Sequence, residues 1–104
     1  MRVYIPATFG MLQALQDNGL LHARSGWGFS ATKALQEFFT SGDLEEIEDV
    51  AFDDAALASL RLLAIGDEER FPHRRVVISV DVDATEAPDM GESVVKLSLS
   101  LIHI

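Results

Sequence analysis

The clearest secondary-structure signal in this chain is the stretch RVVISVDVD at residues 75–83. Apolar and polar residues alternate along most of it, and this period of two is typical of a β-strand with one buried face. The residues expected to face the core are Val76, Ile78, Val80 and Val82. Val77 is the one apolar residue on the polar side. Because clean alternation leaves one face in water, the strand indicates an antiparallel or mixed sheet.

Capping residues predict three helices upstream of this strand. Thr8 is the expected N-cap of a helix over Phe9–Asn18, which Gly19 ends by adopting a left-handed conformation. Ser30 or Thr32 caps a second helix that runs through Phe39. Asp43, three residues before a glutamate, caps a third helix that reaches about Ala64. The apolar face expected for the third helix consists of Ile47, Ala51, Ala55, Ala58 and Leu62, widened by Val50, Leu57 and Leu63.

The other strands predicted by alternation lie at residues 2–7, at 27–29 and from about residue 93 onward. Residues 20–26 are expected to be a connector and residues 84–91 a polar turn. The resulting order is β-α-β-α-α-β-β. It predicts an α+β fold, a two-layer sandwich with a mixed or mainly antiparallel sheet of about four strands and helices on one face.

The composition of the chain limits the cellular compartment and the classes of partner that we expect for it. The chain has 104 residues and no cysteine, which excludes disulfides, thiolate metal sites and cysteine nucleophiles. The formal net charge of −9 makes nucleic acid an unlikely partner, since non-specific affinity for it comes mainly from Lys and Arg. No segment has the length of a signal-peptide apolar region or of a membrane span. The expected location is therefore the cytoplasm, without membrane attachment.

Several segments resemble one uncharacterised family of actinomycete proteins. They are MRVYIPAT at residues 1–8, the helix with Leu12 and Leu15, AALASLRLL at residues 55–63, and RRVVISVDV at residues 74–82. The family has no assigned activity, so the resemblance implies no functional residue. Its members continue past the end of this chain, which implies a C-terminal truncation.

The last six residues, LSLIHI at 99–104, look like the translation of a transposase mosaic-end adaptor used in sequencing libraries, CTG-TCT-CTT-ATA-CAC-ATC. We therefore predict a single domain over residues 1–98 and a non-native tail over 99–104. The alternative is a genuine final strand, since Leu99 and Leu101 continue the alternation of the preceding segment.

Asp81 and Asp83 are the candidate metal ligands. They lie two residues apart on a strand, so both carboxylates project from the same face, and Glu86 and Asp89 follow in the adjoining turn. Mg²⁺ prefers oxygen ligands of this kind, and paired carboxylates also serve in acid–base chemistry. The alternative is an ordinary solvated strand face.

Arg70, His73, Arg74 and Arg75 form the only basic cluster and are the candidate site for an anion or an acidic partner. The alternatives are neutralisation of the acidic third helix and protection of an edge strand by charge.

The sequence contains no recognisable catalytic motif, so it favours a non-enzymatic cytoplasmic domain that acts through a protein partner or as a homo-oligomer. A metal-assisted hydrolase or nucleotide-processing enzyme using Asp81 and Asp83 is the alternative hypothesis. A weaker one is an RNA-associated accessory factor using the basic cluster. No cofactor is predicted.

Overall fold

A computed structural model describes residues 1–22, 26–39, 42–65, 76–98 and 101–103. The helices are α1 (Phe9–Asn18), α2 (Lys33–Phe38) and α3 (Leu44–Ile65). The strands are β1 (Arg2–Ala7), β2 (Leu20–His22), β3 (Trp27–Phe29), β4 (Val76–Asp81), β5 (Ala84–Glu86), β6 (Val94–Leu97) and β7 (Leu101–His103).

The main sheet has five strands in the order β4-β1-β3-β6-β5, and every pairing in it is antiparallel. β1 forms the longest ladder, which runs along β4 from Arg2 opposite Asp81 to Ala7 opposite Val76. On its other side, Tyr4 of β1 lies opposite Phe29 of β3. The α+β class and the antiparallel sheet predicted from the sequence are confirmed.

The side chains of Val3 and Ile5 define one side of the sheet, which we call the α1 face. They are buried with Leu21, Val95 and Leu97, and Met11 and Leu15 of α1 pack against this cluster. Ile78, Val80 and Val82 also contact it, so the inward side predicted for this stretch is confirmed for these three. Gly28 fits here because it lacks a side chain, since a Cβ at this position would lie 2.5 Å from Val3 Cγ1.

Tyr4 and Phe29 lie on the opposite side, which we call the α3 face. Leu35 of α2 and Ile47 and Ala51 of α3 are buried against it. Met11 and Leu15 of α1 thus pack on the same side of the sheet as Leu21 of β2, while α2 and α3 pack on the other side. β1 is apolar on both sides, so each side requires a cover of its own.

The same arrangement explains why Val77, an apolar residue, lies on the otherwise polar side of β4. The ladder places it opposite Pro6, in step with Tyr4, and therefore on the α3 face. Ser79 and Asp81 share this side but are exposed, as the sequence pattern predicts.

Two short strands were not expected. β5 pairs with β6 within a segment predicted to be a turn, and β2 pairs with β7 within a predicted connector. Their sequences, LLH and ATE, show no clear apolar–polar alternation, so backbone pairing defines these strands. Residues 101–103 thus pair with β2, while the non-native origin of residues 99–104 stays a prediction.

The predicted helix starts are confirmed by hydrogen bonds. The side chains of Thr8, Thr32 and Asp43 accept hydrogen bonds from backbone N–H groups three residues later, at 3.2, 3.1 and 2.9 Å. Gly19 ends α1 with a φ of 69°, a conformation that glycine adopts at low cost. Local capping chemistry therefore sets where each helix begins.

Candidate functional site

Asp81 lies at the end of β4, directly opposite Arg2 of β1. Arg2 Nε donates to Asp81 Oδ1 at 3.0 Å and Nη2 donates to Oδ2 at 3.2 Å, while Nη1 donates to Ser79 Oγ at 3.2 Å. Both side chains of the ion pair are exposed. The hydrogen bonds from Arg2, aided by its charge, lower the pKa of Asp81 below its ordinary value.

This arrangement bears on the metal prediction. Both oxygens of Asp81 accept from Arg2, so a cation at this carboxylate would have to displace a bidentate guanidinium. Asp83 is exposed, and its backbone carbonyl accepts from the Ser98 N–H at 3.2 Å. Within the described part of the chain, no three His, Cys, Asp or Glu residues group closely enough to hold a metal ion. Metal binding by Asp81 and Asp83 stays a prediction.

The basic cluster Arg70, His73, Arg74 and Arg75 lies outside the described residues, which break off at 65 and resume at 76. Its role in binding an anion or an acidic partner stays a prediction.

Tyr4 connects the sheet to α3 through a contact that the sequence did not predict. Its hydroxyl donates to Glu48 Oε2 at 3.4 Å, and its ring meets Phe52 edge-on with centroids 5.8 Å apart. Burial raises the pKa of Tyr4 above its ordinary value, and the nearby Glu48 carboxylate raises it further. Tyr4 is 44 positions from Glu48 and further still from Phe52, so no local pattern could indicate these contacts.

Two serines fix the rotation of α3 about its axis. The buried Ser59 Oγ donates to the Ala7 carbonyl at 2.7 Å and accepts from the Val76 N–H at 2.9 Å. Ser93 Oγ donates to Asp54 Oδ2 at 2.6 Å. Because these bonds reach β1, β4 and the start of β6, they determine which side of α3 faces the sheet and which faces away.

The side of α3 that faces away from the sheet carries both charge and large apolar groups. We call it the outer α3 surface, and its exposed residues are Glu45, Glu46, Asp49, Asp53, Leu57, Leu60 and Arg61. Phe52 is exposed at the edge of this surface, where its ring contacts Tyr4. Phe52, Leu57 and Leu60 are 44, 50 and 42% exposed. No helix in the described ranges, α3 included, is long and apolar enough to span a lipid bilayer.

Leu57 corrects the sequence prediction, which placed it on the core-facing side of α3. The residues that face the sheet are mostly small, namely Ala51, Ala55 and Ser59, all fully buried. They allow the helix to approach closely, so its buried side is narrow. The apolar pattern of α3 is wide and could have indicated an exposed apolar surface, because the helix has more large apolar residues than one buried side requires.

A second exposed apolar group lies at the end of α2. Phe38 and Phe39 are 67 and 38% exposed, and their rings meet edge-on with centroids 5.2 Å apart. Leu44, the first residue of α3, is 56% exposed.

Comparison with known proteins identifies a family and no function. A family model described as "Family of unknown function (DUF6912)" matches residues 1–103. No curated protein and no solved structure gives a significant match to this chain.

Proposed function

Because the chain belongs to DUF6912, a family of unknown function, we propose a function from its surface: it is a non-enzymatic protein-interaction domain that binds through the outer α3 surface. One observation carries this proposal. Leu57 and Leu60 are exposed on a long helix whose opposite side is already packed and hydrogen-bonded to the sheet.

The physical support is the cost of leaving such groups in water. Burial of apolar surface is worth roughly 25 cal/mol per Å², so covering a large aliphatic or aromatic side chain contributes on the order of 1.5–3 kcal/mol. Contiguous exposed apolar patches on soluble domains are characteristic of interaction sites, and aromatic residues are enriched among the strongest contributors to binding. Phe52 adds a partly exposed aromatic ring at the edge of the outer α3 surface.

The polar groups on the inner side of α3 support the same proposal. Ser59 bonds to two backbone groups, Asp54 bonds to Ser93, and Glu48 accepts from Tyr4. These contacts join α3 to the sheet, so they serve the fold. The outer surface is the part of α3 that offers unused contact area.

The test is affinity capture from native lysate with a variant that removes the apolar groups. Leu57→Ser combined with Leu60→Ser should release the proteins that the wild-type chain captures, while circular dichroism shows an unchanged fold. Met90→Ser is the matched control, because Met90 is 64% exposed in the turn before β6. Equal capture by the double variant, or no specific capture by the wild type, would contradict the proposal.

Two further expectations from the sequence, about location and origin, are also proposals. They are a cytoplasmic location and an actinomycete origin of the family. Cell fractionation and the taxonomic distribution of the family test them.

A further inference from the structure

The outer α3 surface divides into two halves of different chemistry. Glu45, Asp49 and Asp53 follow one another at intervals of four residues along the first half. Leu57 continues the same row, and Leu60 lies one turn further on. At 1.5 Å per residue, the distance from Glu45 to Leu60 is about 22 Å. A partner that lies along α3 therefore meets a row of carboxylates and then an apolar patch.

Only the first carboxylate of this row, that of Glu45, stabilises the helix itself. The positive end of the helix dipole stabilises acidic groups in the first turn, which accounts for Glu45, but its effect falls off within that turn. Asp49 and Asp53 lie further along. Like charges four residues apart repel, and the row contains two such pairs in succession.

No cation in the described part of the chain relieves this repulsion. The side-chain ion pair found there joins Arg2 to Asp81 at the end of β4. The only basic residue of α3 is Arg61, which lies beyond the apolar half.

From this layout we propose that the partner is a cationic amphipathic helix of a different protein. Its Lys or Arg residues would lie against Glu45, Asp49 and Asp53, and its apolar residues would cover Leu57 and Leu60. Charge complementarity supports this occupant, because opposite charges across an interface raise the association rate and suppress wrong partners. The inference rests on the proposed function and adds the chemistry of the partner.

A second copy of this chain fits the surface poorly. In a parallel pairing of two α3 helices, the carboxylates would face each other. In an antiparallel pairing, they would be buried against Leu57 and Leu60, with Arg61 as the only cation on the opposing helix. Burying carboxylates without partners is costly, and each chain also carries a net charge of −9.

The experiment is a selection from a random 16-residue peptide library displayed on phage, with the folded chain immobilised at low salt. The selected peptides should be rich in Lys or Arg, with apolar residues at helical spacing. Neutral or acidic peptides, or no enrichment, would overturn the inference.

Variants then separate this inference from the proposed function. The charge variant is Asp49→Asn with Asp53→Asn, and its control is Asp17→Asn with Asp89→Asn on other exposed parts of the molecule. The charge variant should weaken binding of an enriched peptide about tenfold, since two exposed ion pairs are lost, and the control should not. Binding should also fall with added salt.

The apolar variant, Leu57→Ser with Leu60→Ser, should abolish the same binding. If it releases the captured proteins while the charge variant retains them, the interaction surface is correct and the cationic partner is wrong. If neither variant has an effect, both proposals fail. A dimer in light scattering that the apolar variant dissociates would assign the surface to a second copy and overturn the inference.

Discussion

The α1 face of the sheet is packed with aliphatic side chains, whereas the α3 face is joined to its helix by hydroxyl and carboxylate hydrogen bonds as well. On the α1 face, Val3, Ile5 and Val95 are fully buried against one another. On the α3 face, Ser59 and Tyr4 bond across the interface, and large apolar groups remain exposed on the far side of the helix. We therefore expect the α1 face to contribute most of the stability of the fold, and α3 to provide an exposed surface for binding.

The largest expected effect is on the α1 face. Ile5→Ala should lower the free energy of unfolding by about 2–5 kcal/mol, because Ile5 is fully buried and its removal leaves a cavity. Urea unfolding followed by Trp27 fluorescence measures this change, since the chain has one tryptophan. Leu57→Ala, on the outer α3 surface, is the control. Equal losses for the two variants would refute the difference between the α1 face and the outer α3 surface.

The next effect concerns the hydrogen bonds of α3. Ser59→Ala should cost about 1–3 kcal/mol, because it leaves the Ala7 carbonyl and the Val76 N–H without their partner in a buried site. Ser79→Ala removes an exposed hydroxyl and should be close to neutral. Chemical unfolding of both variants tests this, and a neutral Ser59→Ala would show that apolar packing alone holds α3.

A smaller effect concerns pH. Folding raises the pKa of Tyr4. The stabilisation of the folded state that results from this shift is present below about pH 10, the ordinary pKa of tyrosine, and is lost as the pH rises through the folded-state pKa. Tyr4 is the only tyrosine, so phenolate absorbance reports it alone. Glu48→Gln should lower the midpoint towards the ordinary value. A wild-type midpoint at or below that of free tyrosine would contradict the buried contact.

The smallest effect is at the exposed end of β4. Asp81→Asn should change stability little at neutral pH, because exposed ion pairs contribute little. The pKa of Asp81 is lowered, so its contribution is present above about pH 4, the unfolded value, and is lost as the pH falls through the folded value. Acid unfolding of the two proteins measures the difference.

The same variant tests the metal prediction. Calorimetric titration with Mg²⁺ and Mn²⁺ should show binding that Asp81→Asn abolishes if Asp81 and Asp83 are ligands. No heat of binding to the wild-type chain would end that hypothesis.

Much of the fold could be predicted because local chemistry determines it. Thr8 and Asp43 are N-caps whose role depends on neighbours within three residues, and β4 alternates apart from Val77. β2 and β5 could not be predicted, since neither LLH nor ATE shows a clear apolar–polar alternation and the partner of β2 is distant in the chain.

The candidate site was harder to predict than the fold. Leu57 was expected on the core-facing side of α3, because helical spacing alone does not distinguish an apolar side chain that faces the sheet from one that faces water. The deciding information is the size of Ala51, Ala55 and Ser59, which lets α3 lie close to the sheet. The Tyr4–Glu48 contact likewise depends on tertiary structure.

The position of β1 also has a consequence for synthesis. It lies inside the sheet, yet its long ladder is with β4, so Arg2 meets Asp81. At about 5–20 residues per second, a ribosome needs roughly 4–15 seconds to make the intervening segment. During that interval Val3 and Ile5 emerge without their partner strand, and pairings between such distant segments form slowly. The nascent chain therefore exposes an inner strand of its sheet to chaperones until β4 has been translated.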